Sequence, residues 1–133
     1  MSRFPGWTSA AVKKYVSVKP IKRKSVKPDY PGKISNALNI LGINHVREYK
    51  FLHDRRFKFD LAIPEKKIAI EFEGGIFTGG RHTRGSGYAK DAKKYNLATQ
   101  HGWRLLRYTT NDAKRKNFEF KAAEEIKTLL ESL

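Results

Sequence analysis

The chain has no cysteine, one methionine, five prolines and only 13 acidic residues in 133. Without cysteine there is no disulfide scaffold, no thiolate-ligated zinc finger and no cysteine nucleophile. No apolar run approaches the roughly 18 residues of a membrane span, and the opening MSRFPGWTSAAVKK lacks the apolar stretch of a signal peptide. A soluble, cytoplasmic protein with no membrane partner is expected. The scarcity of acid is set against 28 Lys and Arg, a formal net charge of +15. Such a charge on one small domain points to a polyanion, most often nucleic acid. Sixteen aromatics and 39% hydrophobic residues are enough for a packed core, which argues against a wholly disordered basic chain.

The charge is unevenly spread. Residues 1–28 carry eight basic residues and no acid, and VSVKPIKRKSVKP has Lys or Arg at nearly every second position. A flexible basic arm over residues 1–30 is expected. It is either a solubilising tail or a phosphate-contacting segment in which Lys22, Arg23 and Lys24 meet nucleic acid. Residues 31–133 have the mixed composition of a folded α/β domain.

Within that domain, PGKISNALNILGI spaces Ile34, Leu38 and Leu41 along one helical face, and Gly42 is a plausible stop. HVREYKF alternates as a strand. In RFKFDLAI, Phe57, Phe59 and Leu61 fall on one side and Lys58 and Asp60 on the other. IAIEF reads as the most buried strand. The glycine-rich GGIFTGGRHTRGSG (74–87) reads as a functional or mobile loop. A helix over 88–102, a strand over 103–110 and a helix over 118–133 follow. Asn111 or Asp112 is a candidate cap for the last helix, and Ala122, Ile126, Leu129, Leu130 and Leu133 face inward. A strand returning after a helical crossover is expected to run parallel to its neighbour.

The acids stand where an ordinary core would not put them. Asp60 interrupts an aromatic-rich strand, and Glu71 and Glu73 end the most apolar one, two residues apart and so on one face. Three carboxylates converging there repel one another unless a cation lies among them, and hard oxygens suit Mg²⁺ or Mn²⁺. The alternative is an acid row on a solvated strand face, paired with Arg55, Arg56 or Lys58. Glu48, on the first strand, is a further candidate for the cluster. Three other histidines, His45, His53 and His101, have no evident partner and read as surface residues.

FDLAIPEKKIAIEFEGG, followed by a glycine-rich loop, a helix and GWRLLRYT, resembles the PD-(D/E)XK nuclease superfamily. The resemblance is closest to its small phage and bacterial endonucleases of the very-short-patch-repair and Holliday-junction-resolving types. It covers residues 31–133. It implies an αβββαβ restriction-endonuclease-like core, with a mixed central sheet flanked by helices and a C-terminal helix. It also implies metal-dependent hydrolysis of DNA phosphodiesters in recombination or repair. By that resemblance Asp60 and Glu71 are catalytic metal ligands, and the backbone carbonyl of Phe72 completes the metal shell. The family's lysine is replaced by Glu73, which is then expected to bind metal or act as a base.

The missing cation is expected from Lys90, Lys93 or Lys94 on the following helix. Lys94 is favoured because it shares a face with Asp91 and Ala98. The loop residue His82 is its rival as a catalytic group. Arg81 and Arg84, with Lys90 and Lys93, are candidate phosphate contacts. So small a body favours branched or mismatched DNA over a specific sequence, and a two-fold-symmetric junction would call for a homodimer. A non-catalytic nucleic-acid-binding protein on a degenerate nuclease fold is the alternative.

Overall fold

The computed structural model describes residues 27–74 and 86–133. The chain runs through helix α1 (Tyr30–Ile40), strands β1 (Val46–Lys50), β2 (Lys58–Ile63) and β3 (Ile68–Glu73), and helix α2 (Ser86–Gln100). Strand β4 (Arg104–Thr109), the single turn α3 (Thr110–Ala113) and helix α4 (Phe118–Glu131) complete it. The four strands form one mixed sheet in the order β1-β2-β3-β4. β1, β2 and β3 are antiparallel neighbours, and β4 returns parallel to β3, with Ile68 opposite Arg104 and Glu73 opposite Thr109. The glycine-rich loop and the basic arm expected from sequence fall almost wholly outside the described residues. Among the described residues no helix is long and apolar enough to cross a membrane.

Local chemistry sets the helix ends. Asp29 caps α1 by accepting the Gly32 N–H at 2.9 Å. At the other end Gly42 takes φ 71, where a side chain is strained. The Gly42 and Ile43 N–H groups then bond the carbonyls of Asn39 and Leu38, both at 3.0 Å. Gly102, with φ 81, closes α2 in the same way, with Trp103 bonding the carbonyl of Ala98 at 2.9 Å. After β4 the cap is Thr109 rather than Asn111 or Asp112. Thr109 and Asp112 form a reciprocal capping box that starts α3, and α4 begins after Asn117 with no side-chain cap.

The sheet separates two apolar clusters. On one face Ile34, Ala37 and Leu38 of α1 and Phe118, Ala122, Ala123 and Ile126 of α4 pack on Leu61, Ile63, Ile68, Ile70 and Tyr108. On the other, Ala98 of α2 packs with Phe59, Ala62 and Ala69, beside Phe51 and Trp103. Phe51 stacks on Phe59 with centroids 4.3 Å apart, and the Trp103 ring lies 5.0 Å from Phe59.

Three expectations are corrected here. Phe59 does not share a side with Leu61: Phe59 lies in the α2-side cluster and Leu61 in the opposite one. The alternation breaks at Asp60. The β1–β2 ladder passes from Arg47↔Leu61 to Tyr49↔Phe59, skipping Glu48 and Asp60, and Glu48 adopts φ 51. The β2–β3 ladder stops at Leu61↔Ile70, and the Asp60 carboxylate accepts the Phe72 N–H at 2.7 Å in its place. Leu133 lies beyond the end of α4 and is 44% exposed rather than inward. His45 is also partnered: its ring meets the Ser35 hydroxyl at 2.6 Å and the Ile43 carbonyl at 2.9 Å, tying α1 to the entry of β1.

Ile126 is fully buried, so Ile126→Ala should destabilise the fold by about 2–5 kcal/mol. Leu133→Ala should change stability by less than about 0.5 kcal/mol. Urea unfolding of both variants checks this, and equal destabilisation in the two would contradict the placement of α4.

Candidate active site

The carboxyl ends of β3 and β4 lie side by side because the crossover through α2 makes them parallel. β3 is buried along most of its length, and its alternation sends Ile68, Ile70 and Phe72 toward α1 and α4. Ala69 turns to the α2 side, and Glu71 and Glu73 follow it by strand alternation. Phe72 is clamped between Tyr30, with ring centroids 4.7 Å apart, and Phe118, at 6.0 Å. Those contacts hold the strand end on which the two acids stand.

On the α2 side of that end is a cavity of about 510 Å³. Asp60, Glu71, Phe72, Glu73 and Lys94 line it together with Tyr88, Asp91, Tyr95 and Arg107. Glu71 is 6% exposed. Burial, opposed by the Lys94 ammonium and aided by the nearby Asp60 carboxylate, raises its carboxyl from the usual range to about 7. Lys94 pairs with Glu71, donates to the Lys58 carbonyl at 2.6 Å, and lies 5.5 Å from the centre of the Phe59 ring. The break at Asp60 is what brings Phe59 under this lysine while Asp60 still reaches β3.

Glu73 occupies the same pocket with a different set of partners. It is ion-paired to Arg107 and accepts a hydrogen bond from the Tyr95 hydroxyl at 3.0 Å. Arg107 in turn lies over the Tyr95 ring, 4.5 Å from its centre. Burial and the carboxylates of Glu71 and Glu73 raise the Tyr95 phenol above its ordinary value, so it stays a donor. The pocket therefore holds two acid–base pairs, Glu71 with Lys94 and Glu73 with Arg107.

Of the residues singled out from sequence, Asp60, Glu71, Phe72, Glu73 and Lys94 come together here. Glu48 does not: it is exposed on the edge strand β1 and does not line the pocket. Lys90 and Lys93 are exposed on α2 and are not among the lining residues. His82, Arg81, Arg84, Lys22, Arg23 and Lys24 lie outside the described residues. Sequence reasoning missed Arg107 and Tyr95. The available signal was the parallel return of β4, which sets Arg107 opposite Glu71 in the register.

Two carboxylates and the carbonyl of Phe72 offer hard oxygens suited to Mg²⁺ or Mn²⁺, which keep several waters and share phosphate oxygens of a substrate. Among the described residues no group of three or more Asp, Glu or His side chains is arranged to hold an ion unaided. Asp60 and Glu71 could supply two ligands to such an ion, the others coming from water or a bound substrate. Comparison of the chain with protein-family models, with curated proteins and with solved structures gives no match.

Glu71 should titrate near pH 7 in the metal-free protein. Lys94→Met should raise that value, by removing the neighbouring cation, and Asp60→Asn should lower it, by removing the neighbouring anion. Carbon-detected NMR of the Glu71 carboxyl reads both. Shifts of the same sign would contradict the charge arrangement.

Proposed function

We propose that the chain is a Mg²⁺- or Mn²⁺-dependent DNA endonuclease of the PD-(D/E)XK type. The observation that carries the reading is a buried Glu71, beside Asp60 and under Lys94, in a chain of net charge +15. A basic protein gathers a polyanion, and an acidic pocket on it is useful chiefly for a cation that works on phosphate. When bound, the divalent cation would polarise the phosphodiester and lower the pKa of an attacking water. Asp60 and Glu71 would hold it. Lys94 balances the buried charge of Glu71 and keeps that side chain in place. Hydrolysis adds water to phosphorus, breaks one P–O ester bond and leaves the departing sugar oxygen protonated.

The substrate we propose is branched, junction or mismatched DNA, because a body of this size has little room for a sequence-reading module. A two-fold-symmetric junction would be cut by two copies of the chain, in the cytoplasm of a bacterial or phage-infected cell. A second reading, a nucleic-acid-binding protein without catalysis, draws on one observation: both pocket glutamates are neutralised by the protein's own cations, Lys94 and Arg107.

Cleavage of duplex, flap and four-way-junction DNA with Mg²⁺, Mn²⁺ or chelator separates the two. Chelator should abolish cleavage. Asp60→Ala and Glu71→Ala should each lower the rate by about 1000-fold or more while binding DNA as tightly or more tightly, since an acid facing phosphate is removed. Cleavage retained in both variants would contradict the assignment.

A further inference from the structure

The two cations of the pocket are held in different ways. Lys94 is 13% exposed in its side chain and is engaged by both Glu71 and the Lys58 carbonyl. Arg107 is 49% exposed in its side chain. Its Nε and one Nη meet a single oxygen of Glu73, and its Cζ lies over the Tyr95 ring. A guanidinium carries five N–H donors, so the Glu73 contacts leave the terminal fork, with N–H groups on both Nη atoms, for a partner. The Glu73 oxygen is fixed in turn by the Tyr95 hydroxyl. A guanidinium clamped along its side edge by a carboxylate, with its Cζ 4.5 Å from the centre of an aromatic ring, has less rotamer freedom than a free arginine. Its remaining fork matches a pair of phosphate oxygens.

We propose that Arg107 is the residue that grips the reacting phosphate, and that Glu73 and Tyr95 are positioning residues that aim it rather than metal ligands. The proposal rests on the nuclease reading and deepens it. It divides the labour between the cations: Lys94 balances the buried acid, and Arg107 meets the charge that builds on phosphate oxygens as water attacks. It also accounts for an acid where the related pattern has lysine. Glu73 holds a cation brought in from the neighbouring strand.

The test uses the full chain with Arg107→Ala, Arg107→Lys, Glu73→Gln and Tyr95→Phe. Three quantities are read: single-turnover cleavage at saturating DNA, the Mg²⁺ concentration giving half-maximal rate, and the salt dependence of DNA binding without metal. Arg107→Ala should cut about 100-fold more slowly, and Arg107→Lys, which keeps the charge without the fork, should recover only part of that. The slope of log affinity against log salt should fall by about 0.9 in Arg107→Ala, as one phosphate is no longer neutralised. Glu73→Gln and Tyr95→Phe should lower the rate about tenfold, with the salt slope and Mg²⁺ requirement unchanged.

An unchanged slope with an unchanged rate in Arg107→Ala would overturn the proposal. So would a raised Mg²⁺ requirement in Glu73→Gln, which would make Glu73 a metal ligand. If the wild-type chain cuts no DNA with either metal, the nuclease reading fails, and the salt slope of Arg107→Ala alone then decides whether Arg107 grips phosphate. Thermal unfolding of each variant identifies any that lose the fold, and Arg107→Lys keeps the question answerable if Arg107→Ala does.

Discussion

The carboxylate of Glu71 is buried at the end of the most apolar strand, and the rest of the pocket answers to that charge. A buried carboxylate left alone either takes up a proton or costs several kcal/mol, so a partner must be built for it. Here the partner is Lys94, and supplying it fixes the position of α2 across the sheet. The lysine stem needs an apolar bed, which Phe59 provides only because β2 turns over at Asp60. The same break sets Asp60 beside Glu71 and lets its carboxylate take the Phe72 N–H where the ladder ends.

The charge pattern then works at two scales. Over the whole molecule an excess of 28 basic over 13 acidic residues makes an attractive field for a polyanion. Within the pocket Lys94 is matched by Glu71 and Arg107 by Glu73, and the Asp60 carboxylate stands beside these pairs. A pocket whose cations are already matched by its own acids is an unfavourable arrangement for binding phosphate by charge alone. A further cation would resolve it, which is the physical basis for the proposed metal-assisted site.

Much of the fold could be read directly. IAIEF is apolar and β-branched enough to declare itself the most buried strand, and Gly42 and Gly102 mark the ends of their helices because the following turn needs a positive φ there. Alternation alone places Glu71 and Glu73 on one face, and helical spacing singles out Lys94. What escaped depends on tertiary contacts. The flip between Phe59 and Leu61 arises because a side chain replaces a ladder hydrogen bond, and no periodicity in β2 signals it. Arg107 becomes a pocket residue only once β4 pairs with β3 in parallel register, and Tyr95 only through its neighbours Glu73 and Arg107. His45 reads as a surface residue in sequence because its partners, Ser35 and the Ile43 carbonyl, come from α1 and the turn after it.

Paramagnetic broadening by Mn²⁺ tests the proposed divalent-cation site at Asp60 and Glu71 without relying on catalysis. Substoichiometric Mn²⁺ added to ¹⁵N-labelled protein should first erase the amide signals of Asp60, Glu71 and Phe72, with little change at Ile126 on the far side of the sheet. Excess Mg²⁺ should restore them, and Asp60→Asn should remove the effect. Broadening that is absent, or that is spread evenly over the exposed acids and persists in Asp60→Asn, would mean that Asp60 and Glu71 hold no divalent cation.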